Sequence, residues 1–140
     1  MRIIGGVNKG QNIIAPVNSK IRPTSDRVRE AIFNILDARL DFGFTGLTVL
    51  DLFSGSGAFA FEALSRGADK AISVDKDQSS IDLLRSNMAI FNADKFLTIL
   101  KCDAVNLPKP PAGLNQASIA FIDPPYHKFL VEPTLYSLVL

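Results

Sequence analysis

The run Val49-Leu50-Asp51-Leu52-Phe53-Ser54-Gly55-Ser56-Gly57 leaves this chain few folds to choose from. Apolar residues ending in a carboxylate and a glycine-rich turn, with the helix-compatible Ala58 to Arg66 directly behind, predict a buried parallel strand, a tight turn and a helix N-terminus. Three further apolar runs follow, Ala71 to Asp75, Phe96 to Leu100 and Ser118 to Ile122, and each finishes at or beside an acid: Asp75, Asp103 and Asp123. Asp77 is placed to cap a helix with core positions Ile81, Leu84 and Met88, and Pro133 to start a short one running to Leu140. Strands alternating with helices predict an α/β fold built on a parallel sheet with right-handed crossovers. Ligands of such sheets sit beyond the carboxyl ends of the strands, so Asp51 to Gly57 should floor a site.

Two ligands compete for that floor. Gly55-Ser56-Gly57-Ala58-Phe59-Ala60 satisfies the loose dinucleotide pattern, and Asp75 lies near the offset expected of a ribose-binding acid. Asp51 argues against a dinucleotide, because a carboxylate at the mouth of the turn and a pyrophosphate repel each other in a low-dielectric pocket. S-adenosylmethionine carries no phosphate; its sulfonium and ammonium groups are both attracted to an acid. Charge therefore favours the methyl donor over NAD.

The chain has 140 residues, 47% of them hydrophobic, which suits a single domain with a real core and is far from the disordered regime. No apolar run is long enough to span a bilayer, and the opening Met1-Arg2-Ile3-Ile4-Gly5-Gly6 lacks a signal-peptide core. The single Cys102 excludes an internal disulfide framework and reads as a small core residue, so a reducing cytoplasm is the expected setting. One histidine and one cysteine do not make a zinc cluster, and no metal is expected.

The net charge of +1 hides an asymmetry. Residues 1–29 hold six basic side chains against Asp26, whereas the remainder holds nine basic against thirteen acidic. The basic head, with Arg2, Lys9 and Arg22, is the expected contact for a polyanion. Its short β-prone pieces, broken by Gly5-Gly6, Gly10 and Pro16, predict a hairpin-like extension up to Pro23. A helix should follow, capped by Thr24 or Ser25, with Asp26 complementing its dipole. Val28, Ala31, Ile32, Ile35, Leu36 and Leu40 form its expected core stripe, leaving Arg27, Arg29 and Asn34 outside.

Asp51 to Gly57 together with Asp123-Pro124-Pro125-Tyr126 resembles the class I S-adenosylmethionine-dependent methyltransferases that modify exocyclic amines. Met1 to Gly6 and Arg22-Pro23-Thr24-Ser25-Asp26-Arg27-Val28-Arg29-Glu30 narrow the resemblance to the bacterial 16S ribosomal RNA guanine-N2 methyltransferase family of the RsmD type. It runs along nearly the whole chain, and implies a single Rossmann-like methyltransferase domain over residues 1–140, with residues 1–23 as the basic extension and 24–140 as the core. Members normally continue into further strands, so the sheet is expected to be C-terminally short. The resemblance implies that Asp51, with Phe53, Ser54, Gly55 and Gly57, holds the methionine end of the donor. Asp75 takes the ribose hydroxyls, Asp103 and Ala104 lie beside the adenine, and Thr24 and Asp26 close over the amino-acid end.

In the four-residue motif the Asp123 carboxylate and the Pro124 carbonyl would accept hydrogen bonds from an exocyclic amine, which is a poor nucleophile because its lone pair is delocalised into the ring. Pro124 and Pro125 fix the backbone that aims them and offer no competing N–H, and Tyr126 would stack on a flipped-out base. The implied partner is ribosomal RNA or the small ribosomal subunit. An adenine-N6 methyltransferase of DNA or RNA, and a non-catalytic fragment that binds RNA or donor, are the alternative readings.

Overall fold

The computed structural model describes residues 1–17, 24–110, 116–125 and 128–139. Its elements follow in the order α1 (Asp26–Arg39), β1 (Thr48–Leu52), α2 (Ala58–Ser65), β2 (Lys70–Asp75), α3 (Gln78–Ile90), β3 (Leu97–Lys101), a 3-10 turn (Ala104–Asn106), β4 (Ile119–Ile122) and α4 (Val131–Val139). The strands make one parallel sheet in the order β3-β2-β1-β4. Strand order reverses between β1 and β4, the place where a doubly wound sheet opens a crevice at its carboxyl edge.

Alternation along the strands divides the core in two. Val49, Ala71, Leu97 and Phe121 face the layer of α1, α2 and α3. Leu52, Ile72 and Val74 face the 3-10 turn and α4, together with Leu50, Leu100 and Ile122. Phe121 stacks on Phe59 of α2 at 4.9 Å and packs against Phe33 of α1 at 5.3 Å, which anchors β4 and α1 to the centre of the sheet.

The first helix departs from its expected stripe. Ser25 is the cap, its hydroxyl accepting from the Val28 N–H, but Arg29 and Phe33 are the fully buried positions. Val28 and Ile35 stay 50% and 56% exposed, and Ala31 is exposed as well. The helix is rotated toward Ile32, Leu36 and Leu40, because Arg29 finds a partner inside: Glu62 of α2, itself fully buried, at 3.5 Å.

Glu62 does more than neutralise an arginine. One carboxylate oxygen accepts from the Ile4 N–H and the other from the Gly5 N–H, both at 2.9 Å, and Arg66 reaches the second oxygen at 2.9 Å. These bonds dock the N-terminal segment, whose hairpin-like turn pairs Arg2 with Asn12 in antiparallel fashion. Gly6, at φ +81°, lies so close to α2 that a Cβ there would fall 1.9 Å from the Ser65 carbonyl oxygen, which leaves room only for glycine. Asn87 of α3 completes the dock: its amide accepts from the Ile14 N–H and donates to the carbonyls of Ile14 and Ser56. Residues 1–14 thus form a fixed wall of the domain. Ile3 and Ile13 bury their side chains in its core.

Candidate functional site

A cleft of about 420 Å³ opens where the carboxyl ends of all four strands converge. Phe53, Ser54 and Gly55 contribute from the turn after β1, Asp75 and Asp77 from the end of β2, Cys102, Asp103 and Ala104 from beyond β3, and Asp123 and Pro125 from beyond β4. Thr24, Met1 and Pro16 close it from the N-terminal side. Four carboxylates against Lys76 and Lys128 make this wall attractive to cations and unfavourable to a pyrophosphate.

The glycine turn is braced from two directions. The Gly55 N–H donates to Asp75 at 2.9 Å, while the other oxygen of Asp75 accepts from the Asp77 N–H at 3.0 Å. Both oxygens keep a free lone pair, so Asp75 can still accept from a ligand hydroxyl. Asp77 occupies the cap position of α3 without a side-chain cap bond and is exposed at the cleft wall. Asp103 accepts from the Val105 N–H and starts the 3-10 turn, which seats Ala104 in the wall.

Asp51 sits elsewhere than expected. It is 1% exposed and lies beneath the loop, accepting from the Ser54 hydroxyl at 2.8 Å and the Ala60 N–H at 3.2 Å. Its strand position points it at α2, so it holds the turn's shape and forms no part of the cleft wall. Burial pushes its carboxyl up to about 7, against the lowering effect of those two bonds, with the charges of Asp123 and Asp75 adding to the rise. Gly57 is likewise structural. At φ +86°, a Cβ there would meet Phe61 at 2.6 Å and Leu84 at 2.7 Å, so the residue lets α2 start against α3 and does not line the cleft.

Raised by burial, Asp51 makes a signed prediction. A carboxyl whose folded value exceeds its ordinary 3.8 stabilises the fold fully below about pH 4, and this contribution is lost as pH rises to about 7. The limiting slope is about 1.4 kcal/mol per pH unit. Asp51→Asn keeps an acceptor for Ser54 and Ala60 but cannot ionise, so urea midpoints measured from pH 4 to 7 should fall more steeply for the parent than for the variant. Parallel profiles would refute it.

The remaining expected residues divide plainly. Thr24 reaches the site and its hydroxyl donates to the Asp123 carboxylate. Asp26 does not: it pairs with Arg29 at 2.9 Å, because the start of α1 turns it toward the buried guanidinium. Arg2 and Lys9 are exposed on the N-terminal extension, away from the cleft wall. Arg22 and Tyr126 lie outside the described residues. Pro124 and Pro125 follow Asp123 as expected, Pro124 lining a second, adjoining cleft. Burial and the nearby Asp103 raise the Cys102 thiol, which disfavours a thiolate nucleophile. Sequence reading missed Met1 and Pro16 as cleft residues. It also missed Glu62, whose signal was a lone carboxylate in the apolar helix Ala58-Phe59-Ala60-Phe61-Glu62-Ala63-Leu64-Ser65.

No helix of the described residues is long and apolar enough to cross a membrane. Residues 1–139 match the family described as "Conserved hypothetical protein 95". The chain is 34% identical over 140 residues to Ribosomal RNA small subunit methyltransferase D of Escherichia coli, covering 96% of this chain and 65% of that protein. The protein of the same name from Haemophilus influenzae is 30% identical over 136 residues, with 96% and 68% covered. A solved Escherichia coli structure, described as a candidate methyltransferase, superposes with a TM-score of 0.78 at 32% identity, covering 99% of this chain and 71% of that one. The chain thus spans about two thirds of the length of these relatives.

Proposed function

The chain belongs to the Conserved hypothetical protein 95 family, and from that membership and the chemistry of its cleft we propose that it is an S-adenosylmethionine-dependent methyltransferase of small-subunit ribosomal RNA, acting on the exocyclic N2 amine of a guanine. The observation that carries this reading is the cleft's ring of strand-end carboxylates, Asp75, Asp77, Asp103 and Asp123, which suits a cationic donor. The names of the relatives supply the substrate class.

When bound, the donor supplies an electrophilic methyl group on sulfur. The chain's own residues then have to bind and align the reactants and accept hydrogen bonds from the substrate amine. Asp75 offers its remaining lone pairs to the ribose hydroxyls, and Asp103 with Ala104 borders the adenine. The Phe53–Gly55 backbone holds the methionine end, kept in shape by Asp51 from below. Asp123, with its carboxylate oriented by the Thr24 hydroxyl, accepts from the substrate amine and favours the pyramidal nitrogen that attacks. The N–C bond would form as the C–S bond breaks, with the amine's surplus proton released to solvent, and the chain's contribution is mainly proximity and preorganised charge. Arg2 and Lys9, on the exposed face of the N-terminal extension, contact RNA phosphates.

Incubating the chain with labelled donor and small-subunit ribosomal RNA, then analysing the nucleosides, tests the reading. Labelled N2-methylguanosine is expected; N6-methyladenosine would replace guanine by adenine as the target, and no transfer would refute the enzyme. Asp75→Ala should weaken donor affinity by about 1 to 3 kcal/mol, measured by calorimetry. An unchanged dissociation constant would remove Asp75 from the site.

A further inference from the structure

A second cleft, of about 570 Å³, adjoins the first and shares Asp123, Pro125 and Leu130 with it. Ile122, Pro124, Phe129, Val131 and Glu132 complete its lining. Phe129 stands out in two respects. It holds φ +52°, a conformation that an aromatic residue adopts only under strain, and its side chain is 91% exposed. Neither core cluster includes it. A ring held in a costly backbone conformation and packed into neither core stands in the wall of a cleft whose partition from the first includes Asp123, Pro125 and Leu130.

We infer that Phe129 is a stacking wall for the substrate nucleobase, which occupies this second cleft with its exocyclic amine at Asp123. The inference rests on the methyltransferase reading for the identity of the substrate, and on the cleft itself for the site. A planar base needs an apolar surface for its π-face and an acceptor at its amine edge. Phe129 and the N–H-free Pro124-Pro125 backbone provide the first, and Asp123 provides the second. Because Asp123 and Pro125 belong to both clefts, a base held there and a donor held in the first cleft meet at that partition.

The chain contains no tryptophan, so F129W would carry the only indole. Titrating F129W with a short single-stranded RNA bearing one unpaired guanosine should quench its fluorescence saturably. F42W, placed at the exposed Phe42 before β1 and outside both clefts, should respond weakly. In parallel, F129G suits the positive φ and should raise the thermal midpoint, yet weaken binding of the same RNA roughly tenfold or more. Equal quenching in the two indole variants, or RNA affinity unchanged in F129G, would overturn the inference even if the parent methylates RNA. Selective quenching of F129W by a parent that transfers no methyl group would uphold the nucleobase site and sink the enzymatic reading instead.

Discussion

Asp123→Ala should lower single-turnover methyl transfer by about 100-fold or more while weakening donor affinity far less, since three of the four cleft carboxylates remain. The carboxylate stands at the end of β4, where the two clefts meet, and the Thr24 hydroxyl fixes one of its oxygens. An exocyclic amine gains positive charge only as it attacks, so an acceptor at its N–H contributes far more to the transition state than to the bound ground state. The contacts proposed for the donor, at Asp75 and Asp103, are untouched by the change. Measurement at saturating donor and RNA separates the two effects. A rate within a few-fold of the parent would return Asp123 to the role of a polar strand end. Removing its charge should also ease the ionisation of Asp51 beneath, since Asp123 is one of the charges that raise it.

The largest expected loss of stability comes from a residue outside the clefts. Glu62→Ala should cost about 3 to 5 kcal/mol, because it leaves the fully buried Arg29 with Asp26 as its one remaining carboxylate and removes the acceptor of two backbone N–H groups. Against a total of about 5 to 15 kcal/mol for a domain, that is enough to populate unfolded chain at ambient temperature. Urea denaturation measures the total, and hydrogen exchange at the Ile4 and Gly5 amides reports whether the extension is released first. A loss under about 1 kcal/mol would show that the buried network is dispensable. Glu62→Gln should fall between, since it keeps one acceptor oxygen but turns an amide donor toward one of the N–H groups or guanidinium groups.

The sheet was legible because its signals are local. Each strand is a short apolar run ending at or near an acid, and Asp75, Asp103 and Asp123 all reached the cleft wall as strand-end position requires. What escaped depends on partners remote in sequence. Arg29 reads as a surface residue until Glu62, 33 positions later, is brought against it, and its burial then rotates Val28 and Ile35 outward. Asp51 and Gly57 carry the expected motif, yet the helices that pack on the sheet decide where they lie: Asp51 faces α2, and Gly57 is wedged between α2 and α3. Asp26 was drawn from the cleft by the same guanidinium. Phe129 had no periodicity to announce it; only its backbone conformation and exposure do so.

The dock formed by Glu62 and Asn87 also dictates an order of events during synthesis. Ile14 bonds to a side chain 73 residues downstream, and Ile4 to one 58 downstream. A segment made well before its partners is therefore late to find its place. At ordinary elongation speeds the wait for Asn87 lasts roughly 4 to 15 s, during which Ile3 and Ile13 have no core to enter. A nascent chain with an early and prolonged apolar exposure is a natural client for chaperones that bind near the exit tunnel. Slowing translation before residue 87 should lengthen that association.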